Sequence, residues 1–431
     1  MNRWLALWLG LAACGGKQEA VRSVDLETLD PAGQKVTFWY QHTLSRETAL
    51  QEMIRQFNAD NPWGVQVLGE YAGQYSDIYN KMLVGLQTDV LPNLVVAYAN
   101  QAIAYYENGG AVDLQPYLDS PRWGLGPQAR QDLYAAFVLQ DRYQGAQVAF
   151  PPNRAMELLY YNADWLQELG WAEPPADWET FARACRAAQQ QPFSRARVGQ
   201  PHLGFLLDVD ASRLASMVFS RGGDLMRDGQ YTLSTSEVRA ALELLRQLVQ
   251  EGSVALVGEP NEDANEFSVG QVLFFTDSSS GLPYVEAGVQ SGLGFRWEVA
   301  PLPHTTPEPV VNVYGASVAV CRASPAAQLA AWLFLRWFTE PPQQARWVEA
   351  SGYFPVRGSA RALLSSYFAR NPHYARAYEW LAFGRSEPTV MDYEQVRRLI
   401  ARAVVDVLEG EDMDRTLAAL ERDANATLRG S

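Results

Sequence analysis

The residues of this 431-residue chain best suited to chemistry are aromatic rings beside polar groups, placed where apolar runs end. The run 35–40 closes in Trp39-Tyr40 and passes into Gln41-His42. Tyr75 ends Tyr71-Ala72-Gly73-Gln74-Tyr75, just past a second apolar run at 65–68. Tyr353 lies in a similar Gly-containing loop, where a ring is better explained by ligand contact than by core packing. Such rings stack on the apolar faces of a small molecule. Adjacent strand residues face opposite sides, so one of Trp39 and Tyr40 belongs to the core and the other to a cleft. His42 is either a neutral hydrogen-bond donor in the first loop or a surface residue. Arg154 follows the turn Pro151-Pro152-Asn153 and reaches either a cleft or solvent.

Catalysis lacks its usual patterns. Asp277-Ser278-Ser279-Ser280-Gly281 has no leading glycine for a nucleophile elbow, and no histidine is placed by motif to act as base. Glu70, Asp77, Glu107 and Glu157 offer carboxylate pairs without an identifying motif. No Gly-rich loop carries the Lys and Ser/Thr of a phosphate cradle. The four histidines are isolated, and Cys185 and Cys321 stand far apart, so neither a metal nor a cofactor is expected.

Regular elements must position these residues. After the strand at 35–40, Leu50, Met53, Ile54 and Phe57 recur at i, i+3, i+4 and i+7, the stripe of a helix buried on one face. Asn61-Pro62 stops that helix, and the run 65–68 supplies a second strand. Two strands joined by a crossover helix form a parallel unit, and such sheets bind ligands beyond the carboxyl ends of their strands. The pattern continues with a helix at 75–86, a strand at 92–98 and a helix from Ala99-Asn100 to Asn108-Gly109-Gly110. A second strand–helix series begins at 156–162. It includes strands at 203–207 and 271–276 and helices at 211–219 and 236–250. The β-branched run 312–320 is expected to return as one strand to the first sheet, making the first lobe discontinuous. The tail, 359–428, reads as helical.

Acidic residues number 49 against 35 basic ones, with no Lys/Arg cluster, which argues against nucleic acid as a partner. Thirteen Trp and twenty Tyr exceed what a core needs and suit a ring-stacking site. At the start, Arg3, the apolar stretch 4–9 and Leu11-Ala12-Ala13-Cys14-Gly15 form a short secretory signal that closes on a cysteine. Residues 15–34 have the composition of a flexible tether. No other stretch has the apolar length of a membrane span.

The motifs together resemble family 1 of the extracellular solute-binding proteins of bacterial ABC importers. The likeness is nearest to its glycerol-3-phosphate-binding branch and more distant to its maltose-binding branch. Its carriers are Phe38-Trp39, Phe57-Asn58-Ala59-x-Asn61-Pro62, Tyr71-x-Gly73-x-Tyr75, Pro92-x-Leu94 and Leu159-Tyr160-Tyr161-Asn162. Further along come Thr276-x-Ser278-Ser279, Gly315-Ala316-Ser317 and Ser351-Gly352-Tyr353-x-Pro355. The opening signal resembles a lipobox, in which Cys14 is lipidated. The resemblance implies an α/β, two-lobed periplasmic-binding-protein-like fold of type II. Each lobe would be a mostly parallel sheet flanked by helices, with a helical C-terminal part. The expected division is a signal at 1–14, a tether at 15–34, lobe 1 at 35–150 plus about 300–350, and lobe 2 at 151–299 plus about 351–431.

Carried over position by position, the resemblance places Tyr75, Tyr353, Ser278 or Ser279, Gly315 and Arg397 at ligand contacts, with Arg397 holding a phosphate end. A ligand-binding Glu of that branch falls on Ala99, between Tyr98 and Asn100. A pocket serine falls on Ala155 beside Arg154, and a stacking Trp near Ser220 and Arg221. With Asn153 on the opposite wall, Tyr98, Asn100 and Arg154 complete the candidate set. The expected function is capture of a sugar or oligosaccharide by a monomeric, lipid-anchored, extracytoplasmic protein that delivers it to ABC permease subunits. Glycerol-3-phosphate or a glycerophosphodiester is the alternative solute, and an extracellular hydrolase the weaker rival.

Overall fold

A computed structural model describes residues 25–197 and 199–428. Cys14, the signal and the first ten residues of the expected tether lie outside the described residues. Residues 25–34 are held on the body. Trp123 Nε1 donates to the Leu26 carbonyl (3.0 Å), Ser120 Oγ to Glu27 (2.6 Å), and Gly33 N to the Trp63 carbonyl (3.0 Å).

The first sheet has the order β2-β1-β3-β10, from β1 (Lys35–Tyr40), β2 (Gln66–Tyr71), β3 (Leu94–Ala97) and β10 (Ser317–Val320). The first three are parallel and β10 is antiparallel. Helix α1 (Leu44–Asp60) buries Leu50, Met53, Ile54 and Phe57 against this sheet, as the spacing predicts. Two asparagines stitch its end to β2. Asn58 both donates to the Val67 carbonyl (2.9 Å) and accepts from Val67 N (2.7 Å), and Asn61 does the same with Val65. The motif around Phe57 is thus a splice between helix and strand.

The second sheet has the order β6-β5-β7-β4-β9-β11, with β8 also pairing β4. Its strands are β4 (Ala155–Asn162), β5 (Leu203–Leu207), β6 (Val254–Leu256), β7 (Val272–Ser278), β8 (Trp297–Ala300), β9 (Val311–Tyr314) and β11 (Gly384–Arg385). It runs parallel through β6, β5 and β7 and antiparallel around β4. β4 is buried along its whole length, which is why it reads as a nearly unbroken apolar run.

The expected single strand at 312–320 is divided. β9 pairs β4 of the second sheet and β10 pairs β3 of the first, so the chain crosses between lobes at Gly315-Ala316. Gly315 has φ +150°, a conformation that L side chains rarely adopt, and it packs beside Arg154. Two more crossings lie near 150–155 and 351–356, and Arg154 ties all three. Its backbone exchanges hydrogen bonds with Phe354 (3.1 and 2.8 Å), and its guanidinium reaches Ser317 Oγ (2.9 Å) and the Ala316 carbonyl (3.4 Å). A fully buried ion pair to Asp141 (2.8 Å) completes the knot. Helix α6 (Pro341–Ser351) leads into the last crossing, burying Trp347 in the first lobe and Val348 in the second. The tail is helical, as expected, apart from the short β11. Cys185 and Cys321 are buried free thiols.

Candidate functional site

Between the lobes lies a cleft of about 500 Å³. Lobe 1 contributes Tyr98, Ala99 and Asn100, where β3 gives way to α3 (Ala99–Glu107). Behind Tyr98 stands Tyr75, at the first position of α2 (Tyr75–Thr88), with ring centroids 4.6 Å apart. Gly73 makes that helix start possible. It has φ +103°, and a Cβ there would meet the Asp77 side chain at 2.7 Å, where Asp77 accepts the Gln74 N–H at 2.9 Å. Gln41 Nε2 donates to Tyr75 Oη (2.7 Å), locking the ring. Burial pushes the Tyr75 and Tyr98 hydroxyls upward, so both stay neutral donors.

Lobe 2 contributes a network of charges. Arg213 donates to Glu157 (2.6 Å) and Asp277 (3.3 Å), with Asp208 at 3.6 Å. Arg397 makes two bonds to Asp210 (2.9 and 2.8 Å) and one each to Glu387 (2.7 Å) and Ser212 Oγ (2.9 Å). Tyr314 Oη donates to Glu157 (2.9 Å). Burial opposes the charge on both arginines, but the surrounding carboxylates hold them well above the usual range. One guanidinium shared among three acids leaves those acids short of compensation. Burial, and then the Asp277 charge acting against Arg213, push Glu157 up to about 7. Asp277 is likewise raised by burial. Burial also acts on Asp210, but Arg397 and the Ser212 N–H outweigh it and hold that carboxyl low.

A third group ties the lobes together. Arg46, near the start of α1, donates to the Ser351 carbonyl (2.9 and 3.2 Å) and the Ser280 carbonyl (3.1 Å), and lies 4.8 Å over the Tyr353 ring. It joins lobe 1 to lobe 2. His42 packs edge-on to Trp347 (5.0 Å) and Tyr353 (6.5 Å). Burial, with Arg46 beside it, depresses the imidazole to about 3, so it is neutral, as one of its two sequence readings holds.

The expected site residues divide. Tyr98, Asn100, Gly315 and Arg397 line the cleft and Tyr75 backs it, whereas His42 and Tyr353 pack on each other outside its lining. Ser278 adjoins Asp277, and its hydroxyl accepts the Ser280 N–H at 3.2 Å. Four others are turned inward. Tyr40 is buried under α1, bonded to Gln51 (2.7 Å) and Glu47 (3.0 Å). Asn153 is buried and accepts from Trp347 Nε1 (2.7 Å). Arg154 is the crossing knot, and Ser279 is buried with Oγ on Met156 N (3.1 Å). In each case the hydrogen bonds these side chains make run to the protein itself. Trp39 is the half-buried member of its pair, with Nε1 on Glu70 (3.0 Å). Of the three departures, Ala99 lines the cleft and Ala155 is buried in β4. Ser220 is also buried, and Arg221 stacks 4.0 Å over Trp178 beside a separate groove of about 590 Å³.

Sequence reasoning passed over Asp208, Asp210, Arg213, Asp277, Tyr314, Glu387 and Arg46. A signal existed for part of this set. Asp208 and Asp210 follow the carboxyl end of β5, and Asp277 stands at that of β7, the places where such sheets bind ligands. Glu387 and Arg46 carried none, because each acts through segments remote in the chain.

The model of the bacterial extracellular solute-binding protein family matches residues 52–376. The sn-glycerol-3-phosphate-binding periplasmic protein UgpB of Agrobacterium fabrum is 22% identical, over 92% of this chain and 90% of that protein. Its counterpart in Escherichia coli is 21% identical, over 85% and 82%. Among solved structures, the cyclic α-maltosyl-1,6-maltose binding protein of Arthrobacter globiformis superposes with a TM-score of 0.79. It is 22% identical and covers 92% of this chain and 99% of that one. UgpB of Mycobacterium tuberculosis, in complex with glycerophosphocholine, gives 0.77 at 22% identity, covering 93% and 99%. The two-lobed fold and the extracytoplasmic setting expected from sequence therefore hold, and the chain belongs to the bacterial extracellular solute-binding protein family.

Proposed function

We propose that this protein captures a small polyhydroxylated solute, a sugar or oligosaccharide, between its lobes and delivers it to an ABC permease. The observation that carries this reading is the pairing of two unlike walls across one cleft, tyrosines Tyr75 and Tyr98 on lobe 1 facing the Arg213 and Arg397 networks on lobe 2. Rings cover the apolar faces of a sugar, while carboxylates and guanidiniums held in place accept and donate to its hydroxyls. A solute touching both walls favours the closed arrangement over the open one, and the three crossings near Arg154 are where the chain must bend. Discrimination follows because a wrong solute leaves buried polar groups unpaired.

Glycerol-3-phosphate or a glycerophosphodiester is the second reading. It draws on the UgpB relatives and on Tyr75 behind the cleft. Against it, both terminal nitrogens of Arg397 already serve carboxylates. Thermal-shift screening of oligosaccharides beside glycerophosphodiesters separates the two, since a ligand of the native state raises Tm. Stabilisation by the glycerophosphodiesters alone would overturn the sugar reading. Turnover of any stabilising compound on long incubation would replace binding with hydrolysis. A lipid on Cys14 is the proposed anchor, and mass spectrometry of the membrane-extracted protein would reveal it as a diacylglyceryl adduct.

A further inference from the structure

The charges of the cleft do not balance. On the lobe 2 wall Asp208, Asp210, Asp277, Glu157, Glu387 and Glu394 stand against three guanidiniums. Arg213 is shared by three of these acids, Arg397 by two, and Arg398 pairs Glu394 at 3.5 Å. Arg46, the cation at the far end, donates to carbonyls rather than to acids. Six carboxylates thus meet four guanidiniums. The network is also unfinished, since Glu157 Oε1 and Arg213 Nε are buried without a hydrogen-bond partner. Asp277 is open as well. Both hydrogen bonds it accepts, from Arg213 and from Ser278 N, go to Oδ1, and its side chain is 35% exposed. Around these acids stand the rings of Tyr98, Tyr314 and Tyr393.

An anion entering such a site meets arginines that already have partners and carboxylates that repel it. A cation meets uncompensated acids and the negative faces of aromatic rings, the two features that attract an ammonium group. Burial raises the carboxyls of Glu157 and Asp277, and the neighbouring acids add to it.

Resting on the solute-cleft reading above, we propose that the selected solute carries a positively charged amine or quaternary ammonium group, seated between Asp277 and the tyrosine rings. That chemistry has two sources, an amino sugar or a choline-bearing glycerophosphodiester.

Titration calorimetry of the full chain with two matched pairs tests it. Cellobiose is compared with fully deacetylated chitobiose, which puts ammonium in place of a hydroxyl on each ring. Glycerol 3-phosphate is compared with glycerophosphocholine, which adds the choline. In the pair that binds, the cationic member is expected to bind at least about tenfold more tightly, and added salt narrows the gap by screening. Which pair responds identifies the source. Asp277→Asn should weaken the cationic member about tenfold, and the exposed Glu394→Gln less but in the same direction, which keeps the test alive if the first variant does not fold. Equal or tighter binding of the uncharged or anionic member overturns the proposal and leaves the solute-cleft reading standing. If no member of either pair binds while an uncharged solute stabilises the chain in the thermal-shift screen, the proposal falls and the solute-cleft reading stands; if nothing in that screen binds either, both fall.

Discussion

The two walls of the cleft are built on opposite principles. The lobe 1 wall is tyrosine and amide. Tyr75 leans on Tyr98, a single hydrogen bond from Gln41 fixes it, and none of these three carries charge. The lobe 2 wall is charge. Arg213 and Arg397 are each held by several acids gathered from strands, loops and the C-terminal helix α7 (Tyr393–Leu408). An aromatic wall recognises shape and tolerates variety, because any apolar face satisfies it. A charged wall is rigid and selective, because its groups are costly to leave unpaired. On the proposed binding reading, lobe 1 grips and lobe 2 discriminates.

Substitutions can break that contrast. Arg213→Ala removes the partner of Glu157, a fully buried carboxylate, and should cost about 3–5 kcal/mol in urea unfolding. A Glu157→Gln second change should restore part of this only above about pH 7, where the buried carboxyl would otherwise have to ionise without its partner. Arg397→Ala acts at a side chain 25% exposed, and a loss of about 2 kcal/mol is expected from its charged hydrogen bonds. Tyr98→Ala should separate binding from folding. At 37% exposure it should change stability by under about 1 kcal/mol, yet loss of its ring should lower solute affinity about tenfold by calorimetry. If Tyr98→Ala destabilised the fold as much as Arg213→Ala, the contrast between walls would be lost.

Titration gives a finer comparison. Glu157 keeps its proton to about pH 7 in the folded chain, against an ordinary value of 4.5. Its contribution to stability is therefore full below pH 4.5 and is lost as pH rises to about 7. His42 in lobe 1 behaves in reverse. Its folded value is about 3 against an ordinary 6.5, so its contribution is full above pH 6.5 and is lost as pH falls toward 3. Glu157→Gln should flatten the first slope of stability against pH and His42→Gln the second. Failure of either slope to change would remove that residue as its source.

The same contrast explains what could be read in advance. Helix α1 and its buried stripe, the run of β3 and the ring at Tyr75 follow from local periodicity and turn chemistry, and all lie where the spacing predicts. Of the positions carried over from the family, Gly315 and Arg397 line the cleft, whereas Tyr353 lies outside its lining and Ser279 is buried. The inward turn of Arg154 did not show, because a lone arginine after a Pro-Pro-Asn turn has the same sequence signature whether it meets solvent or a buried aspartate. Nor did the division of 312–320 show, since β9 and β10 are equally apolar and only their partners differ.

By itself, then, the sequence determined the class of protein, the alternation of strand and helix and the aromatic half of the site. Those depend on residues close together along the chain. Tertiary structure decided the charged half apart from Arg397, which the family resemblance had already placed. Asp210, Arg213, Asp277, Glu387 and Arg397 come from distant segments, and their charges have meaning only at the distances the fold sets between them. Coulomb interactions depend on separation and burial, and neither is written in spacing along the chain.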